Sequence, residues 1–323
     1  MTTHAPALAT PAAAIDPWRR KVRLAGWGRR AVLFIGSLLV LAYALGPVAW
    51  LVASSVQDEA EIVSVPPHWI PERPTLQNYQ AIFRSGVKMV TYESSSHKDP
   101  AAGGYIPSTA ANLLPGMANS FEVAFAVVVL NLLVGVPAAY AIAKIRFHGR
   151  SAAVYSILAT RVIPDIALVV PFFLIIKKLG LVDNLLSLVV TYLAITAPFT
   201  VFILVGYFEA LPDELDKAAR VDGCSRLQAL WHVFLPLAAP SLVAVVLFSF
   251  LASWNEFLLA LMFTQTPASQ TLPIVVASFA SDFTISFSFI NAAGVIAIVP
   301  PILLALLFER YIVSGLTAGA VKG

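Results

Sequence analysis

The stretch "EALPDELDKAARVDGCSRLQALWHVFLPLAAP", Glu209 to Pro240, is dense in charge and helix punctuation and lies between two strongly apolar segments. Its residues spell two short helices. Pro212 suits a first helical position, where a missing N–H leaves no bond unmade. Asp213, Glu214 and Asp216 fall early while Lys217 and Arg220 fall late, the order that complements the helix dipole. Gly223 fits a helix terminus that needs positive φ. Ser225 and Gln228 follow with capping-box spacing, and Leu227, Leu230, Trp231 and Phe234 recur at helical spacing. That stripe suits the membrane interface, with Trp231 at headgroup level. Pro236 and Pro240 close the second helix and open the next apolar segment.

The surroundings explain why such a segment stands out. Of 323 residues, 59% are hydrophobic and 12% charged, against roughly 25% charged in an ordinary soluble domain. The composition is that of a membrane protein. A formal charge of +3 then reports topology rather than nucleic-acid binding, because Lys and Arg in such chains mark the cytoplasmic loops. The single cysteine, Cys224, allows no internal disulfide, and no Cys/His cluster has metal-ligand spacing.

Six segments reach the length of about 20 mostly apolar residues that a membrane crossing needs: 31–53, 119–143, 152–176, 185–208, 238–263 and 287–313. The first is too long for a signal-peptide core, so it reads as a retained anchor after a basic tail, 1–30, rich in Ala, Pro and Thr and expected to be disordered. Even parity puts both termini on one side. Placing them in the cytoplasm gathers there Arg19 to Arg30, then Lys144, Arg146 and Arg150, then Lys217, Arg220 and Arg226, and finally Arg310 and Lys322. Outside fall Arg73, Arg84, Lys88, Lys98, Lys177 and Lys178, so the positive-inside rule favours termini in. The long outer segment 54–118, with Pro66, Pro67, Pro71, Pro74 and "SSSHKDPAAGGYIPST", reads as loop rather than core, either a receptor contact or a solvated insertion. The core bundle is then 119–313, containing the cytoplasmic segment 209–240, and 314–323 forms a cytoplasmic tail.

On the first short helix Leu211, Leu215, Ala218 and Ala219 share a face whose small residues suit the close approach of another backbone, a helix-in-groove design. Periodicity alone leaves open a solvated helix that merely links two spans. Spacing adds more: Lys217, Ala218 and Ala219, three residues, Gly223, nine residues, then Val233, Phe234, Leu235 and Pro236 resemble the "EAA…G…I-LP" signature of the membrane subunits of binding-protein-dependent ABC importers. Further stretches resemble the carbohydrate branch of maltose-type permeases: "WIPERPTLQNY", "NSFEVA", "AAYAIAKIRF", "RVIPDIALVVPFFLI" and "SWNEFLLAL". The resemblance covers about residues 30–323 and omits the N-terminal tail and an insertion near Ser85 to Thr109.

The resemblance implies an all-α integral membrane protein of the type I ABC importer permease class, with six transmembrane helices, both termini cytoplasmic, in a bacterial-type plasma membrane. It makes the 209–240 segment a coupling helix that docks on a cytoplasmic ABC ATPase, through Leu215, Asp216, Lys217, Ala218, Ala219 and Gly223. It also implies a second permease subunit, an extracytoplasmic solute-binding protein and a sugar or polyol substrate. This chain would bind no cofactor; ATP is used by the partner, since no G-x-x-x-x-G-K-[ST] phosphate loop occurs here. One position departs from the signature: Lys217 stands where the family has Glu. Asp216 or Asp213 would take over its contact, or the partner surface is acidic; an exposed pair of this kind is worth under about 1 kcal/mol.

Polar groups inside spans are costly and face a bundle interior or a water-filled cavity. Arg161 and Asp165, four apart, are placed to pair across one helical turn, with Pro164 between them as a kink. Ser253, Trp254, Asn255 and Glu256 cluster in the fifth span. Together these six form a candidate translocation path or gate: amides and charges suit sugar hydroxyls, aromatic faces suit sugar rings. In the competing structural reading Arg161, Asp165 and Glu256 satisfy one another and fix helix packing. Asn119, Asn131 and Asn291 read as interhelical hydrogen-bond donors, and Gly135, Gly206 and Gly294 as sites of close helix approach. Two other classes compete with an importer permease. An ion-coupled secondary carrier needs internal repeats and a midplane ion site, and no inverted repeat is evident; a membrane scaffold without transport is the third.

Overall fold

The computed structural model describes residues 17–85, 108–280 and 286–320, with side chains from 29 to 84, 109 to 280 and 286 to 311. Every regular element among them is helical. Four helices are long and apolar enough to cross a membrane: Arg29–Ser55, Thr109–Lys144, Leu185–Ala210 and Phe287–Tyr311. Two bent pairs, Arg150–Val162 with Asp165–Lys178 and Arg226–Leu237 with Ala239–Trp254, raise the number to six if each pair is one span. The 98° bend falls inside the expected span 152–176, whereas the 83° bend lies at the start of the expected span 238–263, which is itself interrupted between Trp254 and Leu258.

The chain divides into two units, one up to Leu51 and one from Val52 onward. Helix α1, Pro17–Ser55, begins inside the tail expected to be disordered. Its "PWRRKVRLAGWGRR" is rich in Arg, Lys, Leu and Ala, which pay little to enter a helix, and Pro17 occupies the start, where proline is tolerated.

In the second unit α2 (Leu113–Lys144) is the central helix, with α5 (Leu185–Ala210) and α8 (Ala239–Trp254) packed along it. Between α2 and α5 lie α3 (Arg150–Ala159) and α4 (Asp165–Lys178); between α5 and α8 lie α6 (Asp213–Val221) and α7 (Arg226–Ala229). After α8 come α9 (Leu258–Phe263), α10 (Leu272–Ser278) and the long α11 (Phe287–Ala320). Gly135 permits a close approach of α2 and α5: a Cβ there would meet Thr200 Cγ2 at 2.6 Å. Gly206 was expected to do the same, but nothing lies within 4 Å of its Cβ position. Beside Gly135, fully buried Asn131 donates to Thr196 Oγ1 on α5 at 2.7 Å and to Ser249 Oγ on α8 at 3.1 Å. Asn131 is thus the interhelical donor its sequence position suggested. Asn119 donates to the carbonyls of Ala268 and Gln270, whereas Asn291 makes no side-chain hydrogen bond among the described residues.

The segment after α1 is more than loop. Ile82, on the helix Gln77–Ser85, is fully buried with Ala110, Leu113, Leu272, Phe279 and Phe289. Glu59 reaches the start of α11, where its carboxylate accepts from Phe287 N at 3.0 Å, Ser288 N at 3.0 Å and the Ser286 and Ser288 hydroxyls. A carboxylate at that end offsets both the unpaired N–H groups and the helix dipole. Residues 86–107 of the expected insertion lie outside the described residues, as do 321–323 of the expected C-terminal tail.

Candidate functional site

The punctuation of the 209–240 stretch is realised almost residue for residue. Pro212 is the N-cap of α6, one position before that expected, with extended ψ of 137°. At the other end Gly223 has φ +85°, and Cys224 N bonds Ala219 O while Gly223 N bonds Arg220 O. That pair of bonds is the Schellman arrangement. Ser225 and Gln228 close the capping box, Ser225 N donating to Gln228 Oε1 at 2.8 Å and Gln228 N to Ser225 Oγ at 3.3 Å. Beyond Ala229 the helix widens to a π turn over Leu230–Phe234 before Leu235–Leu237, next to Pro236, which has no N–H to give the ladder.

The apolar stripe of this second helix divides between two environments. Leu230 and Phe234 are buried in the chain's own core, while Leu227 and Trp231 are more than 60% exposed. The stripe therefore does not lie in an interface as one face; only its Leu227 and Trp231 edge is free. The face of α6 is corrected in the same way. Leu211 and Leu215 pack against the cluster of Tyr140, Phe208 and Phe234, and Ala219 is 4% exposed. Leu211, Leu215 and Ala219, expected to receive another protein, are wholly or partly covered by this one, whereas Lys217 and Ala218 of the expected surface are exposed, with Glu214 and Val221 at helical spacing beside them.

Polar ties fasten the covered side. Lys144, the last residue of α2, donates to Leu211 O at 2.7 Å and to Asp213 Oδ1 at 2.8 Å. One turn earlier the Tyr140 hydroxyl donates to Asp216 Oδ1 at 2.9 Å. Arg150, opening α3, pairs with Glu209 at the end of α5. The Lys144 ammonium, first through its hydrogen bond and then through its charge, holds the Asp213 carboxyl below the usual carboxylate range. Asp216 is engaged with Tyr140 and Asp213 with Lys144, although the Asp213 side chain remains 69% exposed. Tyr140, Lys144 and Glu209 escaped the sequence reading because partners tens of residues apart leave no local pattern.

Among the described residues no hydrogen bond or ion pair joins Arg161, Asp165 and the 253–256 group to one another. The helix breaks between Arg161 and Asp165: Arg161 sits in a 3-10 turn, Pro164 is extended with ψ 134°, and Asp165 opens α4. The one-turn pairing expected of them is absent, since that geometry requires an unbroken helix. Arg161 instead donates to Ile195 O at 2.9 Å, with its guanidinium over the Phe199 ring, and Asp165 is exposed. Glu256 takes the Tyr192 hydroxyl at 2.6 Å and the N–H groups of Leu259 and Ala260, so it caps α9. An acidic residue just before the apolar run "FLLALMF" was the signal for that cap. Trp254 stacks on Phe250 and donates to Ala297 O at 3.2 Å. Ser253 Oγ is buried without a partner, and exposed Asn255 donates back to Leu251 O. Arg161, Asp165 and Glu256 therefore do not satisfy one another.

Up to six apolar spans, with a short polar helix tied to the end of α2 through Tyr140 and Lys144, define a multi-pass helical membrane protein. Residues 131–317 match the family described as binding-protein-dependent transport system inner membrane component; the chain belongs to it, and is an ABC importer permease of the inner membrane. It is 34% identical over 291 residues to the sulfoquinovosyl glycerol permease SmoH of Agrobacterium fabrum, covering 90% of this chain and 93% of that protein. To the trehalose/maltose permease MalG of Thermococcus litoralis it is 34% identical over 296 residues, covering 91% and 98%. Among solved structures, a bacterial ABC transporter involved in the import of the acidic polysaccharide alginate shares the fold, with TM-score 0.69, 22% identity, and coverage of 94% of this chain and 100% of that one.

Proposed function

We propose that this chain is one permease half of an ATP-driven importer for a sugar or related polyol, and that α6 is the helix by which a cytoplasmic ATPase drives it. The carrying observation is the division of α6 into two faces: Leu215, Asp216 and Ala219 turn to the bundle, while Glu214, Lys217, Ala218 and Val221 are exposed. A helix fastened by one face and bare on the other suits a second protein in water. Lys217 at the centre of that bare face asks for an acidic or neutral partner surface. The carbohydrate class rests on relatives named for trehalose, maltose, sulfoquinovosyl glycerol and diacetylchitobiose. The reading includes termini in the cytoplasm, a second permease and an external solute-binding protein. Arg161, Asp165 and Asn255, the exposed members of the candidate path, are the groups left to meet a hydroxylated substrate.

The test is Gly223→Asp. Gly223 has φ +85°, a conformation that Asp tolerates better than most side chains, and nothing among the described residues lies within 4 Å of its Cβ position, so the substitution perturbs the turn that ends α6 and the docked surface while insertion in the membrane is retained. Uptake should fail with ATP hydrolysis continuing. Normal uptake at normal expression would overturn the coupling role.

A further inference from the structure

Two residues, Leu211 and Pro212, link α6 to α5, and Asp222 to Ser225 link it to α7. Its polar fastening nevertheless goes to neither of those neighbours in sequence. It goes to the end of α2, through two side chains one turn apart and hence on one face.

The Lys144 side chain is only 3% exposed, and Asp213, 69% exposed, is its counter-charge. Its ammonium spends one proton on Leu211 O, one on Asp213 Oδ1, and lies 5.8 Å from the centre of the Phe234 ring. A buried ammonium cannot leave such a site without remaining unpaired, so this contact transmits displacement rather than yielding to it. Tyr140 sets the distance on the other side of the turn, its ring packed on Phe208 and Phe234 with centroids 6.2 and 5.2 Å away. Farther along α2, Gly135 meets Thr200 of α5, and Asn131 bonds both α5 and α8. A displacement of α2 thereby reaches the other two core helices through buried contacts that cannot slip freely.

We propose that Tyr140 and Lys144 are positioning residues that make α2, rather than the spans flanking α6 in sequence, the element that exchanges motion with the α6 helix. This rests on the reading of α6 as the ATPase-docking helix. Signals then run both ways along α2: from ATP to the bundle, and from a solute-binding protein back to the ATPase.

The experiment uses the whole assembled transporter in vesicles and reads ATP hydrolysis with and without saturating solute-binding protein, as that protein is purified. Lys144→Met, which removes two charge-assisted hydrogen bonds, should keep the basal rate and the bound ATPase while the stimulation falls at least about tenfold, the size expected for the loss of one such bond alone. Tyr140→Phe, which keeps the ring, should lower the stimulation less and leave the basal rate alone. Lys144→Arg, which keeps the charge and the donors for Leu211 O and Asp213, should retain stimulation that Lys144→Met loses. If Lys144→Met does not assemble, Tyr140→Phe and Lys144→Arg decide. Basal and stimulated rates falling in constant proportion would overturn the proposal, and so would unchanged stimulation. If Gly223→Asp uncouples while these variants do not, the α2 route alone fails; if Gly223→Asp does not uncouple either, the docking role of α6 fails with it.

Discussion

The Tyr192 hydroxyl donates a hydrogen bond to Glu256 Oε2 at 2.6 Å, and Glu256 accepts from Leu259 N at 2.8 Å and Ala260 N at 3.1 Å. One carboxylate joins α5 to the start of α9, with Tyr192 itself 2% exposed. Replacing it by an apolar group strands a buried hydroxyl and two helix-end N–H groups. Each stranded buried donor costs about 1–3 kcal/mol, so Glu256→Leu should lose about 3 kcal/mol or more and Glu256→Gln, which keeps one acceptor oxygen, about half that. Thermal unfolding in detergent measures this. Transport per folded molecule should be close to normal in Glu256→Gln. A selective loss of uptake at unchanged melting temperature would return Glu256 to the substrate path.

Gly135 and Gly206 are both helix-interior glycines, and the structure separates them. An added methyl at Gly135 meets Thr200 Cγ2 at 2.6 Å, while one at Gly206 meets nothing within 4 Å. Gly135→Ala should therefore destabilise by about 1–3 kcal/mol, the usual cost of overpacking a dense core. Gly206→Ala should be neutral or stabilise by up to about 1 kcal/mol through helix propensity. Unfolding of the two variants side by side checks the contrast; equal losses would show that Gly135 is not a close-packing site.

What the sequence made legible was local. Pro212, Gly223 and the Ser225–Gln228 box depend on backbone positions a few residues apart, and each was readable to within one position because caps work at fixed offsets. The apolar periodicity of Leu215 and Ala219 was equally readable, but periodicity says only that a face is covered, not by which body, and here the cover is α2 and α5. Pro164 announced a distortion, yet a kinked helix and a 98° break share the same local signal; the extended ψ at Pro164 decides between them. Contacts such as Lys144 with Asp213, or Glu59 with Ser286 and Ser288, join residues that only the folded bundle brings together, and one sequence carries no trace of them.

Asp183, between α4 and α5, clasps the loop after α9. Its carboxylate accepts from Gln265 N at 2.8 Å, Thr266 N at 2.9 Å, Thr266 Oγ1 at 2.7 Å and the Ser269 hydroxyl, while its own N–H donates to Phe263 O at 2.7 Å. Those bonds, the Ser269 hydroxyl first and the Thr266 and Gln265 amides next, hold its carboxyl far below the usual carboxylate range. A carboxyl whose folded value is lowered stabilises the clasp fully above its unfolded value of about 3.9, and the contribution is lost as pH falls from there toward the folded value. Hydrogen exchange at Gln265 and Thr266 should therefore show constant protection above about pH 5 and progressive loss in acid below about pH 4. Asp183→Asn should weaken protection at neutral pH and abolish that acid dependence. An acid response persisting in Asp183→Asn would assign it to another group.

Cys224 gives the proposed orientation a direct readout, because it is the protein's one cysteine and follows Gly223 at the end of α6. It is half-buried, so a small thiol reagent reaches it more readily than a bulky one. With both termini in the cytoplasm, a membrane-impermeant maleimide should label the transporter in inside-out vesicles and leave right-side-out vesicles unlabelled, while a permeant reagent labels both. Docking of the ATPase on the exposed side of α6 should slow the labelling in inside-out vesicles, and ATPase removal should restore it. Cys224→Ser, which keeps the size of the side chain, should abolish the signal without affecting uptake. Labelling confined to right-side-out vesicles would invert the topology and place α6 on the wrong side of the membrane for any cytoplasmic partner.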